Sequence, residues 1–182
     1  DVCSSDLPPP SATAADDDLQ GDPRFQLGRQ LLANGRYAES EAVLTGVSNA
    51  RPGSDAVEFL LAISIQKQKR YAPALEMLDE LRGRGTSFPN REALEHFRGW
   101  CLFYLGRPAE AAEAFRAHLA LTPSEPDSHF GLGVSLMELA ETEEALVEFD
   151  RAIELDLGRP DRRRALGKAW IRRGDALWEL DR

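Results

Sequence analysis

From Phe25 to Phe149 apolar and small side chains return in a fixed order. The stretches FQLGRQLLANGRYAESEAVL, FLLAISIQKQKRYAPALEML, HFRGWCLFYLGRPAEAAEAF and FGLGVSLMELAETEEALVEF can be written one above another. Each has a small residue early (Gly28, Ala62, Gly99, Gly133) and an aliphatic three positions on (Leu31, Ile65, Leu102, Leu136). Nine further comes a second small residue (Ser40, Ala74, Ala111, Ala145), and four beyond that a large apolar one (Leu44, Leu78, Phe115, Phe149). The early small residues are 34, 37 and 34 apart. Apolar positions in each half-repeat fall at helical spacing. Gly35 and Gly106 lie between the halves, where a residue of positive φ ends a helix. Pro52 and Pro123 lie where the second helix must stop, since proline lacks the amide and clashes with the preceding turn. Each repeat therefore predicts two helices, the second opened by Tyr37 or Tyr71 in the first two repeats. The small sites let the pair approach closely, and a larger side chain there would overpack at about 1–3 kcal/mol.

The departures from the pattern are few. Ala62 stands for Gly and Ser40 for Ala, both small enough. Arg98 occupies the column of Leu27, Leu61 and Leu132, and His118 the column of Val47, Leu81 and Ala152. The second repeat ends in RGRGTSFPN, three residues longer than its siblings, which predicts a loop. At the C-terminus, PDRRRALGKAWIRRGDALWELDR reads as one long helix begun by a proline. In the preferred register Trp170 starts a fifth first-helix, with Gly174 as the small site and Leu177 as the aliphatic. A competing register uses Leu166 and Gly167. A second helix should then follow, so a natural chain running past Arg182 is expected.

These registers resemble the tetratricopeptide repeat, whose period is 34 residues and whose unit is an antiparallel helix pair. The resemblance covers about residues 22–182. It implies an all-α fold, a right-handed α-solenoid of antiparallel helix pairs. Four complete repeats (about 21–54, 55–89, 90–125 and 126–158) precede a truncated fifth or capping helix at 160–182. It also implies a concave face built from the first helix of each repeat. The inward residues would be Phe25 and Arg29, Phe59 and Ile63, then His96, Trp100, Phe103 and Tyr104, then Phe130, Val134 and Met137, and last Trp178. That face is rich in aromatic anchors of the kind that carry interface energy, so the resemblance implies a groove for an apolar peptide or amphipathic helix. The subclass that clamps a C-terminal carboxylate carries Lys and Asn where Phe25 and Arg29 stand, and the inward Asn ladder of another subclass is replaced by Gln26, Leu60, Phe97 and Gly131.

Composition narrows the reading. Of 182 residues, 42% are hydrophobic and 29% charged, enough to bury a core. No apolar run approaches the length of a membrane span. The net charge of −9 argues against nucleic-acid binding, which needs clustered Lys and Arg. Charge is uneven: residues 159–182 carry +4 and the rest −13. Residues 1–20 are poor in large apolar groups and are expected to be disordered. The string GAC GTG TGC TCT TCC GAT CT, the end of a common sequencing adapter, encodes Asp1 to Leu7. Those seven residues are read as translated adapter and set aside. With Cys3 removed, Cys101 stands alone on an apolar helix and reads as a small core residue, so redox compartment and location stay open.

No chemistry stands out. GLG at 131–133 is too short for a dinucleotide fingerprint and sits in a helix. His96, His118 and His129 lack ligand spacing for a metal. Glu143, Glu144, Glu148 and Asp150 read, with Arg151, as a solvated ion-paired face. The expectation is a non-catalytic protein–protein interaction scaffold without cofactor or metal, of bacterial-looking composition, with envelope or macromolecular assembly as a setting. The alternative is the docking arm of a larger enzyme.

Overall fold

The computed structural model describes residues 19–85, 88, 90–157 and 163–181, with the backbone alone for 163–166. Residues 1–18, and with them the expected adapter segment, lie outside. Among the described residues every regular element is helical. The chain forms two compact units, one ending at Arg91 and the other beginning at Glu92.

The first unit holds α1 (Pro23–Ala33), α2 (Tyr37–Ala50), α3 (Asp55–Lys67) and α4 (Tyr71–Arg84). Each helix packs on the next, and α1 also touches α3, as a stack of pairs requires. The expected tail is shorter than residue 20: Leu19 is buried and its carbonyl accepts from the Asp22 amide. Asp22 caps α1 by accepting from the Arg24 amide at 2.9 Å, with Pro23 at the first helical position, where its missing N–H costs nothing. Ser54 caps α3 in the same manner. The buried Ser40 hydroxyl donates to the Gly28 carbonyl at 2.9 Å and pairs with Ser64 at 2.9 Å, so Ser40, besides being small, pins α2 between α1 and α3.

The second unit follows a 3-10 turn at Arg91–Ala93 and holds α5 (Leu94–Tyr104), α6 (Pro108–Leu121), α7 (Pro126–Glu138), α8 (Thr142–Leu157) and α9 (Arg163–Leu180). Again neighbours in sequence pack together, while α5 meets α7 and α7 meets α9.

The turns inside the four repeats share one geometry. Gly35 (φ 76°), Lys69 (φ 64°), Gly106 (φ 73°) and Ala140 (φ 59°) are all left-handed, in the same phase of the repeat. After each, the next amide reaches back to a carbonyl five residues earlier: Arg36 to Leu31, Arg70 to Ile65, Arg107 to Leu102, Glu141 to Leu136. This is the Schellman closure, normally built on glycine. The two glycines were legible; Lys69 and Ala140 take the same conformation against their own preference because the helices on both sides hold the turn.

The small sites do what their spacing predicts. A Cβ on Gly28 would lie 2.6 Å from Leu44, one on Gly99 2.9 Å from Phe115, and one on Gly133 2.6 Å from Phe149. In each case the large apolar residue of the second helix sits in the gap of the first. Gly131 faces the other way, onto the Phe115 ring of the preceding repeat. GLG at 131–133 is thus a pair of packing sites on opposite sides of α7. In α9 the expected small site behaves differently. Ala169 and Ala176 are buried, but Gly174 has nothing within 4 Å of its Cβ position and Leu177 is 42% exposed. Trp170, which starts the preferred register, is exposed too, as is Gly167 of the competing one. A small site fills only when a following helix supplies a large side chain, and no described helix does so here.

Candidate functional site: an aromatic face on the second unit

Helix α5 places His96, Trp100, Phe103 and Tyr104 along one stripe at helical spacing, and α7 places Phe130, Val134 and Met137 along another. The two stripes meet. Trp100 stacks on Tyr104 (centroids 5.8 Å, interplanar 27°) and meets Phe103 edge-on at 5.9 Å. It reaches Phe130 at 6.2 Å, and Phe130 in turn reaches the buried Phe149 at 6.0 Å. Below the face, Phe115 meets Trp100 edge-on at 5.2 Å. The face therefore rests on the same Phe115 and Phe149 rings that fill the glycine gaps. Trp100, Phe103, Phe130 and Met137 are half-buried, and Tyr104 is 55% exposed. Phe130 also packs against the cluster of Ala152, Ile153 and Ala169.

One end of the face is polar. The His118 ring, buried in a column that is apolar in the other repeats, has its Nδ1 2.8 Å from the Ser128 hydroxyl and its Nε2 2.8 Å from the Thr122 hydroxyl. Ser128 also lies 2.7 Å from Nδ1 of His96. The Thr122 hydroxyl donates to the His118 carbonyl at 3.0 Å, so Nε2 of His118 must be the donor to Thr122. Nδ1 of His118 then accepts from Ser128, and Ser128 accepts from Nδ1 of His96. One neutral arrangement satisfies every group. Burial disfavours the charged ring and pushes the His118 pKa down, although Glu125, Glu92 and Glu95 pull the other way. His129 shows the reverse balance. Burial opposes its charge but is outweighed by the bond to Glu148 at 2.6 Å, the Pro123 carbonyl at 3.0 Å and the Glu148 charge, so its pKa is raised.

A family model of the tetratricopeptide repeat matches residues 97–161, inside this second unit. The fold is shared with a MamA fragment, residues 41 to the end, from Desulfovibrio magneticus RS-1 (TM-score 0.65, 16% identity, covering 87% of this chain and 88% of that one). It is shared with PcrH from Pseudomonas aeruginosa (TM-score 0.61, 14% identity, 69% of this chain and 93% of that one). A T3SS complex from Aeromonas hydrophila gives a TM-score of 0.64 at 17% identity, over 76% of this chain and 90% of that one. Residues 97–161 are thus similar in sequence to the tetratricopeptide repeat, and the chain shares its fold with these solved structures. No curated protein matches its sequence at a significant level.

The twelve residues expected on the inward face have different fates. Phe25, Phe59, Ile63 and Val134 are buried. They are packing groups in this structure, because the phase that turns a side chain toward the groove also turns it toward the neighbouring first helix. Arg29 is exposed, with its guanidinium 5.9 Å from the centre of the Phe25 ring. Trp178 is exposed on α9. His96, Trp100, Phe103, Tyr104, Phe130 and Met137 remain accessible in the second unit, and the ring contacts run among the five aromatic members of that set. The buried Cys101 is a small core residue, as its sequence setting predicts.

Sequence reasoning missed the pairing of the histidines, because the partners are 32, 10 and 19 residues away and come from other helices. A signal existed. His96 stands in the column of Phe25, Phe59 and Phe130, and His118 in that of Val47 and Leu81. Two polar replacements in neighbouring apolar columns of one repeat indicate that each satisfies the other. The acids of α8 likewise find partners across helices: Glu144 with Arg116 at 3.4 Å, Asp150 with Arg173, Glu148 with His129. Among the described residues no group of three or more His, Cys, Asp or Glu is placed to hold a metal ion, and no helix is long and apolar enough to cross a membrane.

Proposed function

We propose that this protein is a non-catalytic interaction scaffold that uses the aromatic face of α5 and α7 to hold a peptide or helix of a partner protein. The observation that carries the reading is the stacked Trp100–Tyr104 pair, supported from beneath by buried rings and open to solvent at Tyr104. Aromatic groups held rigid in this way lose little entropy on binding and are enriched among the residues that dominate interface energy. Met137, at the edge of the face, adds an adaptable apolar contact. The role fits a part in macromolecular or envelope assembly.

A peptide array probed with the wild type and with a Trp100→Ala/Tyr104→Ala variant tests the proposal. The variant should keep its helical circular dichroism and lose binding by about tenfold or more, since each such anchor contributes about 1–2 kcal/mol or more. Unchanged binding by a folded variant would refute the face as the site.

A further inference from the structure

Resting on that reading, we propose that the aromatic face selects a cationic partner segment, one that sets large apolar side chains beside Lys or Arg. The α7 stripe has an acid at each end, and the α5 stripe has one before its start. Glu92 lies in the turn leading into α5, Asp127 one helical turn before Phe130, and Glu138 one turn after Val134. Glu92 and Glu138 are exposed and Asp127 is half-exposed. None of the three forms an ion pair among the described residues. Arg91, beside Glu92, lies over the Phe88 ring and offsets one of these charges, and the bases within and after the α5 stripe are already engaged. Nε and Nη2 of Arg107 each donate to Glu110 at 2.7 Å, and Arg98 binds Glu95 at 3.3 Å. The rim is left with an excess of negative charge around an apolar centre, on a chain whose net charge is −9.

Helix stabilisation accounts for part of this and fails for the rest. Acids in the first turn, such as Asp127, favour the helix dipole. Glu138 closes α7 at its C-terminal end, where an acid opposes the dipole. The helix it ends does not account for its charge. The rings agree with the same occupant. The exposed Tyr104, stacked on Trp100, presents aromatic surface on which a guanidinium or ammonium group is favoured. Like charge across an interface is strongly disfavoured, so the rim excludes acidic segments as well as attracting basic ones.

Calorimetric titration of the full chain with two synthetic amphipathic peptides decides the matter. Both carry the same Leu and Phe residues at helical spacing; one is flanked by Lys and the other by Glu. The Lys-flanked peptide should bind about tenfold tighter or better at low salt, and the gap should shrink at about 0.5 M salt. An Asp127→Asn/Glu138→Gln variant should narrow the gap while leaving the Glu-flanked peptide no weaker. Equal binding of the two peptides, or preference for the Glu-flanked one, overturns the charge selection and leaves the aromatic site standing. Binding of neither peptide by the folded chain overturns the site itself. Sedimentation showing that the free chain dimerises through Trp100 and Tyr104 would assign the face to a second copy and likewise overturn the proposal.

Discussion

Phe59 and Phe130 occupy the same column of the repeat, two periods apart, yet only one of them is available to a partner. Phe59 is 2% exposed, turned toward the neighbouring first helix and with the ring of Phe88 5.2 Å away. Phe88 belongs to RGRGTSFPN, the connector that is three residues longer than its siblings. In the second unit the connector at that place relative to Phe130, residues 158–162, has no aromatic residue in its sequence and lies outside the described residues; Phe130 is half-buried beside Trp100. The neighbouring column does not divide by unit: Ile63 and Val134 are buried, and Arg29 and Trp100 are not. A ring from the connector thus adds to the packing of Phe59, whereas Phe25, in the same column, is buried with no aromatic residue in its own connector.

The largest test of that contrast is Phe88→Ala. Removing a buried ring should cost about 3–5 kcal/mol, and it should also expose Phe59. Urea unfolding would show the loss, and an unchanged midpoint would mean that Phe88 adds nothing to the packing of Phe59. Next in size is Gly131→Ala, set against Gly174→Ala. The first drives a Cβ into Phe115, which cannot yield without disturbing the support of Trp100, and should destabilise by about 1–3 kcal/mol. The second enters open space and should stabilise by up to about 1 kcal/mol through helix propensity. Equal effects would erase the distinction between filled and open glycine sites.

A pH titration of stability examines the polar end of the face. Burial holds His118 below the ordinary imidazole range, so the unfolded chain takes up that proton more readily. Its contribution is complete above about pH 6.5, the unfolded value, and is lost as pH falls below it. His129, raised by Glu148, acts in the opposite sense: its contribution is present below about pH 6.5 and lost as pH rises through its folded value. His118→Leu, which installs the residue found at Leu81, should flatten the acid-side loss of melting temperature between pH 7 and 5.5. A variant whose acid slope matches the wild type would show that the ring does not titrate with folding. The smallest effect is expected at the turns. Lys69→Gly and Ala140→Gly, one in each unit, should each stabilise by about 0.5–1 kcal/mol by relieving the left-handed conformation, with the unfolded chain's gain in freedom offsetting part of it. Gly35→Ala should do the reverse.

The paired helices could be read from the chain because their determinants are local or periodic. Gly28, Gly99 and Gly133 mark close approaches, and the large residue sixteen positions on supplies the filling group in each case. Turn closure at Gly35 and Gly106 was equally plain. Lys69 and Ala140 were not, since nothing in a lysine or an alanine announces positive φ; only alignment with the glycine column does. The candidate face was half visible. Its stripes follow from helical spacing, but spacing cannot tell Phe59, buried beside a loop ring, from Phe130, half-buried.

The sequence by itself determined where helices begin, turn and pair, because a side chain's direction on a helix is set by its number and a glycine's gap by its missing carbon. Tertiary structure decided which aromatic residues remain at the surface and how His96, His118 and Ser128 satisfy one another. Those outcomes depend on groups brought together from separate helices and from one loop, and their energies arise from burial and hydrogen bonding that exist only once the helices have packed.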